Sequence, residues 1–177
     1  MGVPLSRLTS PAWRGYSLAR FVMTRQAHIY LPEDDRPAIV APMHYNAAGI
    51  YYEQADPIVV ASWRDAAAIA GALRSALQQF VFRDLNLRDH KKTDWPSYRA
   101  SGCRSVREFE KLFLRMAVSA INEAELFYDV KAQPRGEAEI TLHVTLNRYS
   151  HDDEFAQPLL RLFDACCKWS SSQHLSV

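Results

Sequence analysis

Six histidines, three cysteines and the charged residues around them are the groups in this sequence that could do chemistry, and their spacing decides what kind. His28, His44, His90, His143, His151 and His174 form no HxH or HxxxH pair, and Cys103, Cys166 and Cys167 form no CxxC. A structural zinc site draws its ligands from such short spacings, so no metal is expected, and no other cofactor is implied. Cys103 stands among Arg99, Arg104 and Arg107, cations that lower a thiol pKa when they are close, but no nucleophile elbow accompanies it. His143 and Asp129 fall on consecutive strand-like segments and could form an acid/base pair; a strand histidine with an ordinary partner is the plainer reading. Scattered glycines exclude a phosphate-cradling loop. The expectation is a protein that is not an enzyme, with a small enzyme of unknown class as an alternative.

Binding chemistry is better represented. Between Arg83 and Arg107 the cations Arg83, Arg88, Lys91, Lys92, Arg99, Arg104 and Arg107 outnumber Asp84, Asp89 and Asp94, and Trp95 and Tyr98 could stack on bases. That composition makes a single-stranded nucleic-acid-binding module the second alternative. The alternation of Asp with Lys and Arg favours internal ion pairing instead, so nucleic acid is not the expected partner. Three acidic groups could face a cationic protein: Glu33-Asp34-Asp35, Asp152-Asp153-Glu154, and Glu53 with Asp56. Tyr51 and Tyr52 could anchor an interface by aromatic burial.

These residues must be positioned by a small set of elements. Ala66, Ile69, Ala70, Leu73, Ala76, Leu77 and Phe80 recur at three- and four-residue steps and predict a helix over about 63–82, with Ser62 and Asp65 at its start. A second helix is predicted over 152–169, its first turn acidic and its apolar side carrying Phe155, Leu159, Phe163 and Cys166. Strands are predicted at 27–31, 47–54, 57–63, 111–121, 125–132 and 137–147, with 47–54 and 57–63 read as an antiparallel pair. Ser105 and Glu108 form a capping box for a short helix before 111–121, and Gln133-Pro-Arg-Gly136 is a turn. The fold class is therefore α+β, a single domain over 1–177 with a mainly antiparallel sheet, open to strong curvature, packed with two main helices. Residues 1–16 read as an irregular lead-in and 170–177 as a flexible tail.

Composition is that of an ordinary globular chain: 177 residues, 48% hydrophobic and 23% charged, net charge +1. No apolar run is long enough for a membrane span, and the odd cysteine count argues against a disulfide framework, so a reducing cytoplasm is the expected location. Nothing in these numbers fixes the oligomeric state.

The stretch from Leu87 to Glu110, above all Lys92-Thr-Asp-Trp-Pro-Ser-Tyr98 and Ser105-Val-Arg-Glu-Phe109, resembles the immunity proteins of bacterial contact-dependent growth inhibition systems, and the similarity extends over residues 46–168. The resemblance implies a cytoplasmic antidote that binds and neutralises a cognate toxin domain, frequently a nuclease, by stoichiometric protein–protein inhibition. Partner contacts differ between cognate pairs of that family, so it assigns no interface here. The motif residues Lys92, Asp94, Trp95, Tyr98, Ser105, Glu108 and Phe109 are expected to serve the fold.

Overall fold

The computed structural model describes residues 24–84, 95–120, 124–132 and 140–172. The predicted turn at 133–136, residues 1–16, and Lys92 and Asp94 lie outside the described residues.

The chain folds as an α+β domain on one sheet, antiparallel but for β5, with strand order β3 (Tyr51–Glu53), β2 (Ala38–Tyr45), β1 (Gln26–Pro32), β6 (Phe113–Ala120), β7 (Glu125–Ala132), β8 (Ile140–Asn147), and with β4 (Ile58–Val60) and β5 (Val81–Phe82) both pairing with β2. Two strands form its centre, β1 (Gln26–Pro32) and β2 (Ala38–Tyr45), joined by the Glu33–Pro37 turn. β2 is absent from the strands that alternation predicts, and its burial explains why. Ala38 and Val40 enter the main core on one face, while Ile39 and Ala41 enter a second core on the other. A strand covered on both faces reads as a continuous apolar run rather than as an alternation. Pro42 adds to the disguise, because a proline argues against a central strand. It sits in the gap between the two short strands that flank β2, β3 (Tyr51–Glu53) and β4 (Ile58–Val60), where only its carbonyl is used, accepting from Gln54 N at 2.8 Å.

The expected pairing of 47–54 with 57–63 is not what forms. β3 pairs with Met43–Tyr45 and β4 with Ala38–Val40, so the two run in the same direction along β2 as one edge strand with two residues too many at the break. Asp56 and Pro57 make that break. On the way into β3, Gly49 takes a φ of +81, a left-handed conformation that side chains disfavour, and the Asn46 carboxamide accepts from Ala48 N and Ile50 N to close the loop.

α1 (Ala66–Gln78) begins where the Asp65 side chain accepts from Ala67 N, and it ends early enough for β5 (Val81–Phe82) to pair in parallel with His44–Tyr45. After α2 (Pro96–Ala100) comes α3 (Val106–Leu112), capped as expected: Ser105 Oγ accepts from Glu108 N and Glu108 Oε2 accepts from Arg104 N. β6 (Phe113–Ala120), β7 (Glu125–Ala132) and β8 (Ile140–Asn147) then extend the sheet from β1, and α4 (Asp152–Ser172) crosses back beside α1.

α1 and α4 bury the main core against one face of the sheet, with Ile29, Leu73, Met116, Tyr128, Phe155 and Phe163 at its centre. Arg74 holds this layer to the end of the sheet. Its guanidinium donates to the carbonyls of Arg148 and Ser150, lies 3.3 Å from Asp152 Oδ1 and covers the Phe155 ring at 4.3 Å. One side chain thereby satisfies the backbone at the β8–α4 junction and neutralises the acidic start of α4. Replacing it with methionine keeps most of the packing and removes these bonds. Arg74→Met is expected to lower unfolding stability by about 2 kcal/mol, read by urea denaturation, with the loss reduced in Arg74→Lys.

Candidate functional site

The second core, on the opposite face, is built around Phe109, whose ring lies 5.1 Å from those of Tyr30 and Trp95 and 5.0 Å from that of Phe113. Tyr98 completes the cluster from α2. Beside it sits Glu53, an acid on a strand between aromatic residues, with a side chain only 6% exposed. Trp95 Nε1 donates to its Oε1 at 2.9 Å, and the Tyr30 hydroxyl donates to the same oxygen. Ser97 supplies both its N–H, at 3.1 Å, and its Oγ, at 2.7 Å, to Oε2. His28 Nδ1 stands 3.5 Å away, close enough for an electrostatic contact but at the limit for a hydrogen bond.

Burial by itself would raise the pKa of this carboxyl; the close approach of His28 and the donors of Tyr30, Trp95 and Ser97 outweigh it and hold the group at about 2 instead of 4.5. Burial and then the adjacent Glu53 charge push the Tyr30 phenol well above its usual value. Glu53 is thus a permanent buried anion that joins β3, β1 and α2. The stretch that opens α2, Trp95-Pro-Ser97, exists in this conformation to meet it: Pro96 occupies the first helical turn, where its missing N–H costs nothing, and leaves Ser97 N free to donate. Trp95, Tyr98, Ser105, Glu108 and Phe109 each have a partner within the fold.

Of the residues nominated for a partner, Glu53 and Tyr52 are internal. Tyr52 is 5% exposed, packs on His44 and receives a hydrogen bond from Asn46 Nδ2 at 3.1 Å. The two acidic clusters are exposed but apart. Glu33, Asp34 and Asp35 lie in the β1–β2 turn, whose Arg36 carbonyl meets Trp63 just before α1, and Asp34 pairs with Arg36 at 3.0 Å. Asp152, Asp153 and Glu154 lie at the other end of the α1/α4 pair, reached through Arg74. Twelve residues of helix, about 18 Å, separate Asp152 from Asp164, the α4 residue that faces Arg64 at the near end. Asp56 is exposed at the break in the edge strand. They do not form one surface.

Tyr51 has the company of exposed apolar residues. It packs against Tyr45 at 4.9 Å and Phe80 at 6.0 Å, and Tyr45 meets Phe82 at 6.4 Å. Phe82 on the same face is 47% exposed, while Ile50 and Val81, which lie opposite Asn46 and His44 and turn to the other face, are 48% and 38% exposed. Arg25, Arg83 and Asp84 are exposed at its margins. Neither Phe82 nor Ile50 stood out in the sequence, since a helix over 63–82 would have absorbed the first and a strand over 47–54 the second. Further along the same sheet face, Asp129 and His143 are cross-strand partners, 3.6 Å apart from Oδ1 to Nδ1, and His143 stacks on Phe127 at 4.9 Å. Cys103 is met by Arg36 Nη1 at 3.3 Å, and burial pushes the Cys167 thiol up to about 11. Among the described residues no three His, Cys, Asp or Glu side chains converge to hold a metal ion, and no helix is long and apolar enough to cross a membrane.

The depressed Glu53 pKa gives a signed expectation. Its stabilisation is fully present above the unfolded value near 4.5 and is lost as pH falls toward about 2, a contribution of about 3 kcal/mol by linkage. Glu53→Gln should be less stable at neutral pH by about 2 kcal/mol and should show a flatter acid limb in denaturation measured from pH 7 to pH 2. Identical acid limbs for the two proteins would remove Glu53 from this role.

No family model matches the sequence, and no curated protein does. The fold is similar to that of a solved structure, the protein of unknown function NMB0488 from Neisseria meningitidis, with a TM-score of 0.57 at 15% identity over 74% of this chain and 88% of that one.

Proposed function

We propose that this protein is an immunity protein of a contact-dependent growth inhibition system, which binds a cognate toxin domain in the cytoplasm and blocks it by stoichiometric contact. The partly exposed aromatic cluster of Tyr45, Tyr51, Phe80 and Phe82, with exposed Ile50 and Val81 on the reverse side of the same sheet corner, is the observation that carries the reading. A contiguous apolar and aromatic surface with charged margins has the anatomy of a protein interface, in which buried aromatic anchors supply most of the affinity. It also meets an objection to an acidic inhibitor surface: the net charge is only +1 and the acidic groups are dispersed. The likeness of Lys92–Tyr98 and Ser105–Phe109 to the immunity family supports the same reading.

The nucleic-acid alternative loses its stacking residues. Trp95 is edge-on to Phe109 with its N–H on Glu53, and Tyr98 packs in the same core. Bases need a free aromatic face.

The test uses the reading frame immediately upstream of this chain's, which the proposal expects to encode the toxin domain. Co-expression should rescue cells from it, and the purified pair should form a one-to-one complex. Phe82→Asp and Ile50→Asp, both at exposed positions, should each weaken the complex roughly 100-fold, about 3 kcal/mol, while leaving the thermal midpoint in place. Failure of the wild-type protein to rescue overturns the function; rescue that survives both substitutions at unchanged affinity overturns the interface.

A further inference from the structure

The sheet is open, so it has two edges, and they are built differently. On one side the edge is β3 and β4, two three-residue pieces out of register with each other, broken by Asp56-Pro57 and tied down through Glu53. Short strands, a bulge and a proline are how proteins prevent an edge from pairing with another chain. On the other side the edge is β8, eight residues long, Ile140-Thr-Leu-His-Val-Thr-Leu-Asn147, with no proline, no break and no Asp, Glu, Lys or Arg. Nothing in β8 discourages a neighbour.

Its hydrogen-bonding direction can be read from one contact. Arg148 N donates to Ala124 O at 3.0 Å, so the two-residue alternation turns Leu146, Val144 and Leu142 toward β7 and directs the N–H and C=O of Thr145, His143 and Thr141 away from the sheet. The Asn147 N–H points outward too, its carbonyl already accepting from Ser150 N. Among the described residues no strand pairs with this outer side. The side chains agree: Leu142, Val144 and Leu146 pack on the main core yet remain half-buried, whereas their counterparts on β7, Leu126, Tyr128 and Val130, are 2% exposed or less. The core is unfinished along β8.

We propose that β8 pairs antiparallel with β8 of a second copy of this chain, across a two-fold axis at Val144, making one continuous sheet through the dimer. The strand is its own complement in that register. On the core face Val144 meets Val144 and Leu142 meets Leu146, β-branched and apolar pairs that close the gap in the core. On the open face His143 meets Thr145, and no two like charges are opposed. The outward backbone groups then find partners, His143 exchanging both bonds with Thr145 of the other copy. A shift of one residue would set apolar against polar positions, and a shift of two would place His143 opposite itself or shorten the overlap. This surface lies on the edge opposite the aromatic cluster and does not depend on the inhibitor reading.

Sedimentation of the full chain over a range of concentrations should show the mass rise twofold from 20.2 kDa. Thr145→Pro, which removes an outward donor, and Val144→Lys, which points a charge at the unfinished core, should both stay monomeric, while Thr145→Val should still dimerise. Hydrogen exchange on the wild-type protein gives a readout independent of whether either variant folds: the amides of Thr141, His143 and Thr145 should become protected as concentration rises, and that of Val144 should be protected throughout. A wild-type chain that stays at 20.2 kDa overturns the proposal. So does a dimer in which those outward amides gain no protection, or one that Thr145→Pro leaves intact, and so does a β8 edge that captures a different chain without self-association.

Discussion

A single buried carboxylate organises half of this molecule. Glu53 comes from an edge strand of three residues, too short to be stable by its own ladder, yet it is fixed by donors from β1 and α2. Removing water from an anion is costly unless the site supplies hydrogen bonds in its place, and here the site supplies four from protein donors besides the nearby His28. The same bonds set where α2 starts, which in turn brings Trp95 and Tyr98 onto Phe109 and covers one end of the sheet's second face.

The rest of that second face is left bare by the same arrangement. α2 and α3 cover Tyr30, Ile39, Ala41 and Phe113, while Tyr45 and Tyr51 at one margin and Phe127 and His143 at the other have no helix over them among the described residues. The main core takes the opposite division of labour, with α1 and α4 spanning the sheet and Arg74 stitching their junction. One face is thus spanned by helices, while the other is covered by them only over its second core.

How much of this the sequence disclosed follows from which interactions are local. α1, α4 and the β6–β8 meander have one covered and one wet face, so their periods of 3.6 and 2 survive in the residues, and the Ser105–Glu108 cap is a three-residue signal. β2 is hidden because both of its faces are buried and Pro42 interrupts it. β3 and β4 look like a hairpin because strand chemistry does not reveal which strand is the partner. The Glu53 site joins positions 28, 30, 53, 95 and 97, and no short window contains it. Its one trace is a lone acid in the run Ile50-Tyr-Tyr-Glu53, where a strand that is otherwise apolar and aromatic has to explain a charge. The aromatic cluster is half-visible, in Tyr51; Phe80 and Phe82 fall within the predicted helix, and Tyr45 falls in no predicted element.

The break between β3 and β4 has a consequence for how this sequence can change length. Two extra residues keep the alternation in step, so Glu53 faces the second core and Ile58, five positions later, still faces the first. Insertions or deletions of two residues between Gln54 and Pro57 preserve both assignments. A change of one residue would turn Ile58 and Val60 out to solvent and bring Val59 in, or else pull Glu53 away from Trp95 and Ser97. Length variation at this exposed turn is therefore constrained to even steps, a rule written by strand parity and not by any contact the turn itself makes.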